Sequence, residues 1–218
     1  IGVYDHEGNP VTRIALGTAV LDMVVLNGAV WAGTPAGIYR IDQSNWGVSR
    51  LQWSEIKDYR VLQHEKANVY VLAKSGDILW IGGRFGVRNY NTKTGEMRLF
   101  SNRDINDICN KIVIDDQYVW IDGNKYFWRY DTKSDKWDKT DDIVDNHGPH
   151  IVGKYDDILW GYSWLNDKFG YRICIIDRNT LKTKFVQFEE NWSSNSITYQ
   201  GRYKGKTVFL CGSIYFYY

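Results

Sequence analysis

The chain is expected to be all-β and assembled from repeated four-stranded antiparallel units, and three features of its 218 residues carry that expectation. An aliphatic–aromatic pair followed by small residues recurs five times, as Val30-Trp31-Ala32-Gly33, Leu79-Trp80-Ile81-Gly82, Val119-Trp120-Ile121-Asp122, Leu159-Trp160-Gly161-Tyr162 and Val208-Phe209-Leu210-Cys211. The aromatics stand 49, 40, 40 and 49 residues apart. Eleven residues after each of the first three comes an Asp or Asn that closes a strand: Asp42, Asn91 and Asp131. In the fourth copy its counterpart Asp177 falls 17 on, so six residues are inserted. No stretch keeps a 3.6-residue apolar period; one short helical turn is placed within 53–66. A repeat of 40 to 50 residues holding four strands is the signature of a β-propeller blade.

The clearest unit is 77–100 with the strand before it. Residues 69–73 supply a first strand, the turn Ser75-Gly76-Asp77 follows, and 78–81 make a second β-rich run that Gly82-Gly83 breaks. Residues 87–90 make a third, Asn91-Thr92-Lys93-Thr94-Gly95 a hairpin loop, and 97–100 a fourth. The same outline repeats in 24–53, in 112–137 and in 151–188. The start of the chain matches the third and fourth strands of a unit (2–5 and 11–16), and its end matches the first three (197–200, 207–211 and 214–218). The expectation is therefore a single propeller domain over 1–218 with five four-stranded blades, at about 21–54, 68–101, 111–140, 150–189 and a last blade shared between 196–218 and 1–17. Sharing closes the ring and removes its open edges. About three residues overlap, 1–3 against 216–218, so either one end frays or the chain was cut from a larger propeller.

Composition narrows the partners. Lys and Arg number 27 against 26 Asp and Glu, a formal net charge of +1, which removes any general electrostatic pull toward nucleic acid or an anionic membrane. With 3 Pro and 20 Gly the chain is neither disordered nor collagen-like, and no apolar run approaches the ~20 residues that span a bilayer. The 3 cysteines, Cys109, Cys174 and Cys211, are too few and scattered for a disulfide scaffold. GxSxG, HExxH, P-loop and dinucleotide fingerprints do not occur, so no cofactor and no catalytic residue is expected. Ile1 in place of Met is consistent with a removed leader or a longer parent.

The combination of an LWIG-type strand, a Gly-containing turn, an aromatic-Asp strand end and a TKTG-type hairpin resembles the two-component regulator propeller repeat, best over 79–95, fairly over 30–42 and 119–135, and in outline elsewhere. Asp122-Gly123-Asn124 departs from the usual turn and Phe209 replaces Trp. The resemblance implies a ligand-recognising domain of a bacterial sensor, placed in the periplasm or outside the cell, often for oligosaccharides.

Candidate residues follow from the propeller register, which converges the loops between second and third strands and the interblade segments 56–68, 102–110, 141–150 and 189–195 on one face. Trp31, Trp80, Trp120 and Trp160, one per blade, are expected to fill the wedges between sheets, and Trp53, Trp128 and Trp137 to pack as well. Trp164 and Trp192 are expected in loops on that face, where an indole offers a flat apolar surface with an N–H of the kind that stacks on sugars. Arg84-Phe85 sits where other copies carry small residues, and with Asn124 and Asn166 completes the ligand-binding set. His147 and His150 near Asp145 are a weak metal pair without a third ligand. A glycosidase needs two carboxylates on the same face, and Asp22, Asp104, Asp107, Asp145, Glu189 and Glu190 offer no marked pair.

The leading reading is thus a non-catalytic, lectin-like or sensor-like module that binds a glycan or another small polar ligand. A protein-interaction scaffold, pairing through its terminal edge strands and the aromatic tail Tyr215-Phe216-Tyr217-Tyr218, is the alternative. A five-bladed glycoside hydrolase is third.

Overall fold

The computed structural model describes residues 1–52, 68–100, 108–122, 126–140, 150–155, 158–165, 170–186, 197–211 and 214–217. The helical turn expected within 53–66, and Trp53 with it, lie outside them; every element among the described residues is a strand. Two compact units, Ile1–Ile108 and Cys109–Tyr218, divide the chain.

In the first unit, β1 (Gly2–Tyr4) pairs with β2 (Pro10–Arg13). Next come β3 (Asp22–Leu26), β4 (Ala29–Thr34), β5 (Gly37–Asp42) and β6 (Val48–Arg50) as one antiparallel sheet, then β7 (Val69–Ser75), β8 (Ile78–Gly83), β9 (Gly86–Asn91) and β10 (Met97–Phe100) as another. The second unit holds β11 (Ile112–Asp115), β12 (Tyr118–Asp122), β13 (Phe127–Asp131) and β14 (Lys136–Lys139), followed by β15 (His150–Tyr155), β16 (Ile158–Leu165), β17 (Gly170–Ile176) and β18 (Thr183–Val186). It ends on a three-stranded sheet of β19 (Ile197–Tyr203), β20 (Lys206–Cys211) and β21 (Ile214–Tyr217). Every sheet is a meander in chain order, as the all-β expectation required. Among the described residues the two ends supply five strands in two separate sheets, β1-β2 and β19-β20-β21.

Alternation explains the cores. In β4 and β8 the aromatic and its neighbours are buried on both faces of the strand. Trp31, Trp80, Trp120 and Trp160 are 3%, 1%, 0% and 1% exposed, the packing role expected of them. Trp31 with Ile38, Val69, Leu72 and Leu79 centres the core of the first unit, and Trp120 with Phe127, Ile151, Leu159 and Ile176 that of the second. The glycine that ends the first copy of the motif has a packing reason: a Cβ on Gly33 would stand 2.7 Å from Cγ1 of Val69.

The strand-closing residues build one turn four times. Asp42, Asn91, Asp131 and Asp177 each accept, on side-chain Oδ1, the backbone N–H of the residue two further on. Their carbonyls accept the N–H of the residue four on, at 2.8 to 2.9 Å, from Trp46, Gly95, Asp135 and Leu181. Those four residues have φ of 58°, 78°, 58° and 63°, a left-handed conformation that only one of them, a glycine, adopts without strain. The side-chain hydrogen bonds therefore hold the turn against the preference of its last residue.

The Ser44 hydroxyl, then the Ser44 N–H, then Arg40 hold the Asp42 carboxyl down at about 2 from an ordinary 3.8. Asp131 and Asp177 are lowered chiefly by backbone N–H groups, of Lys133 and of Thr180 respectively. A depressed folded-state pKa stabilises the fold above the unfolded value and ceases to do so as pH falls through the folded one. The melting temperature is accordingly expected to drop between about pH 4 and pH 2. Asp42→Asn, which keeps an acceptor and cannot titrate, should flatten that dependence in a calorimetric pH series, as Asn91 already occupies the same place in the second sheet. An unchanged slope would remove Asp42 from the acid response.

Candidate functional site

The ends of the sheets at which β4 turns into β5, β8 into β9, β12 into β13 and β16 into β17 are the ones the sequence marks for ligands. In the first sheet the turn is closed on itself. Thr34 is buried, its hydroxyl donates to the Gly37 carbonyl at 2.8 Å and accepts from the Ala36 N–H at 3.0 Å, and the Arg50 guanidinium donates to the Ala36 carbonyl.

The β8–β9 turn corrects one expectation. Phe85 is 4% exposed and belongs to the core around Trp31 and Leu79, with the Arg88 guanidinium 5.2 Å from its ring centre. Arg84-Phe85 is a two-residue hairpin whose chain reverses at Gly86, φ 82°, and that reversal sends the ring inward to cover apolar surface instead of outward to a ligand. Arg84 stays half-buried in the turn, its N–H held by the Asn68 carbonyl at 3.3 Å.

Trp164 is also placed differently from expectation. The residues inserted in the fourth copy lengthen a hairpin: Ser163, Trp164 and Leu165 continue β16 and pair with Arg172, Tyr171 and Gly170 of β17. Extending both strands satisfies their backbone groups in the ladder, which a free loop of the same length would not. Trp164 is thus a strand residue near the β16–β17 turn. Trp192, Asn124, Asn166 and His147 lie outside the described residues, and His150 opens β15 opposite Tyr162. Of the carboxylates considered, Asp22 spends an oxygen on the Leu72 N–H at 2.8 Å, tying the first sheet to β7. Asp104, Asp107, Asp145, Glu189 and Glu190 lie outside the described residues.

Asp122, where the first two copies carry Gly33 and Gly82, is buried and accepts both the Asn110 and the Lys111 N–H groups at 3.0 Å. It fixes the chain entering the third sheet. Beside it, burial and then the Asp122 charge push the Cys109 thiol well up, so this cysteine is an unreactive core group.

The third sheet carries an arrangement that sequence reasoning missed. Tyr126 and Trp128 alternate along β13 and its lead-in, their ring centroids 5.9 Å apart and nearly perpendicular. The ladder sets Lys139 of β14 opposite Trp128, and its ammonium lies 3.8 Å from the Tyr126 centroid and 5.4 Å from that of Trp128. Trp128 is buried, as expected, while Tyr126 is half-buried and Lys139 exposed. An aromatic face with a cation at its edge, at the start of β13, suits a polar ligand that stacks and hydrogen-bonds at once. The alternation of Tyr126 and Trp128 is visible in the sequence; the cross-strand register that adds Lys139 is not.

No protein-family model matches the chain, and no curated protein matches it in sequence. Solved structures do. The extracellular domain assigned to the one-component system BT4673 of B. thetaiotaomicron superposes with a TM-score of 0.68 at 11% identity, over 100% of this chain and 28% of that one. The extracellular domain assigned to the hybrid two-component system BT3049 of the same organism gives 0.67 at 14%, over 95% and 30%. A WD40 β-propeller domain of Doa1 gives 0.59 at 10%, over 91% and 62%. The likeness establishes the fold as an all-β propeller, and the chain spans under a third of the length of the two bacterial structures.

Proposed function

We propose that the chain is a non-catalytic recognition module of an extracytoplasmic sensor, and that its loop end binds a glycan or another small polar ligand. The observation that carries the reading is a likeness to extracellular sensor domains running over 95–100% of the chain, at a TM-score of 0.67–0.68. The aromatic–cation arrangement of Tyr126, Trp128 and Lys139 supports it, because a sugar presents an apolar face for the ring and hydroxyls for the ammonium. Trp164, Trp192, Asn124 and Asn166 of the second unit are proposed as further ligand contacts, and Arg84 as a ligand contact of the first unit.

A glycan array followed by titration calorimetry with the strongest sugar tests it. Tyr126→Ala and Lys139→Ala are each expected to weaken binding about tenfold, a change of ~1.4 kcal/mol, with little change in melting temperature. An array without a hit, or variants that bind as tightly as the parent, would sink the reading.

A further inference from the structure

A recess of about 800 Å3 opens at the opposite end of the fourth sheet, where β17 turns into β18. Ile158 and Ile175 contribute to its floor. The ladder sets Ile175 opposite Trp160 on one side and Lys184 on the other, so these three share a face, and both isoleucines are half-buried.

The charges around it are uneven. Arg178, Lys182 and Lys184 line the recess against a single lining acid, Asp177. The Asp177 carboxylate is occupied by the Asn179 and Thr180 N–H groups at 2.8 and 3.0 Å, with Lys182 close enough to favour its ionised form. Arg178 turns away to Asp115 and Asp116, at 2.5 and 3.2 Å. Lys182 and Lys184 remain as exposed cations at the edge of an apolar floor.

We propose that this recess is a binding site for a small organic carboxylate with an apolar body. The body covers Ile158 and Ile175, removing apolar surface from water, and the carboxylate takes charge-assisted hydrogen bonds from the Lys182 and Lys184 ammonium groups. An apolar lining with a few convergent polar groups is the usual make-up of a small-molecule site. The recess is separate from the loop end, and the two stand or fall independently.

Benzoate, with neutral benzamide and body-less acetate as controls, is the probe, titrated into the full chain while the Ile158 and Ile175 methyl resonances are followed. Benzoate should saturate those shifts, and benzamide and acetate should bind at least tenfold more weakly. Lys182→Ala with Lys184→Ala should weaken benzoate at least tenfold, and Lys139→Ala should leave it unchanged. Benzamide binding as well as benzoate, shifts confined to other methyls, or a double variant that keeps its affinity would each overturn the proposal.

Discussion

Trp120→Ala is expected to cost about 3–5 kcal/mol of stability, the largest loss from any single truncation in the second unit. The indole is 0% exposed and packs among Val113, Phe127, Ile151 and Leu159, so its removal opens a cavity between two sheets that cannot close without moving both. The Arg129 guanidinium, 5.7 Å from the ring centre and 4.6 Å from that of Tyr118, would also lose an aromatic face. Trp137→Ala, at a half-buried ring tilted against Tyr130, should cost clearly less. Urea unfolding of the two variants measures the difference, and a loss below ~1 kcal/mol for Trp120→Ala would mean that this aromatic does not organise the core.

Asp115→Ala is expected to cost about 3–5 kcal/mol, for an electrostatic reason. The Asp115 side chain is 0% exposed and holds Lys154 Nζ at 2.8 Å and Arg178 Nε at 2.5 Å. Removing it leaves two partly buried cations with their main counter-charge gone, a larger penalty than the pair itself is worth. The neighbouring Asp116 meets the same two cations at 3.2 and 3.9 Å, yet is 77% exposed and screened by water, so Asp116→Ala should cost no more than ~1 kcal/mol. Equal losses from the two variants, read by thermal unfolding at neutral pH, would contradict this division.

The same contact is built from hydrogen bonds in the first unit. Lys74, which like Lys154 stands six residues before its tryptophan, donates to the Val25 carbonyl at 2.8 Å. Asn27, in the place of Asp116, donates to Thr92 at 2.7 Å and to Asp77 at 2.9 Å, and Thr92 follows its strand-closing Asn91 as Arg178 follows Asp177. Two packed sheets are thus latched at equivalent positions in both units, by hydrogen bonds in one and by ion pairs in the other.

Features that depend on near neighbours in the chain are legible in the sequence itself. The spacing of the tryptophans marks the second strands because an aromatic must fill the same wedge in every copy, and the Asp or Asn eleven residues on marks the turn because its side chain bonds backbone only two to three residues away. Asn27-Gly28 and Lys204-Gly205, both residues at positive φ, close their hairpins with equally local chemistry.

Only tertiary structure decided where side chains pointed once the chain left that local frame. Phe85 went into the core because a two-residue turn reverses the face a side chain takes, and no alternation runs across such a turn. Trp164 joined a strand because inserted residues that continue a ladder satisfy backbone groups a loop would leave to water. Lys139 reached Tyr126, and Asp115 reached Lys154 and Arg178, through register and sheet packing, which join residues far apart in the chain. The repeat is written in short-range spacing and so can be read directly, whereas charge pairing and ligand-facing geometry arise from long-range contacts that form only when the sheets pack together.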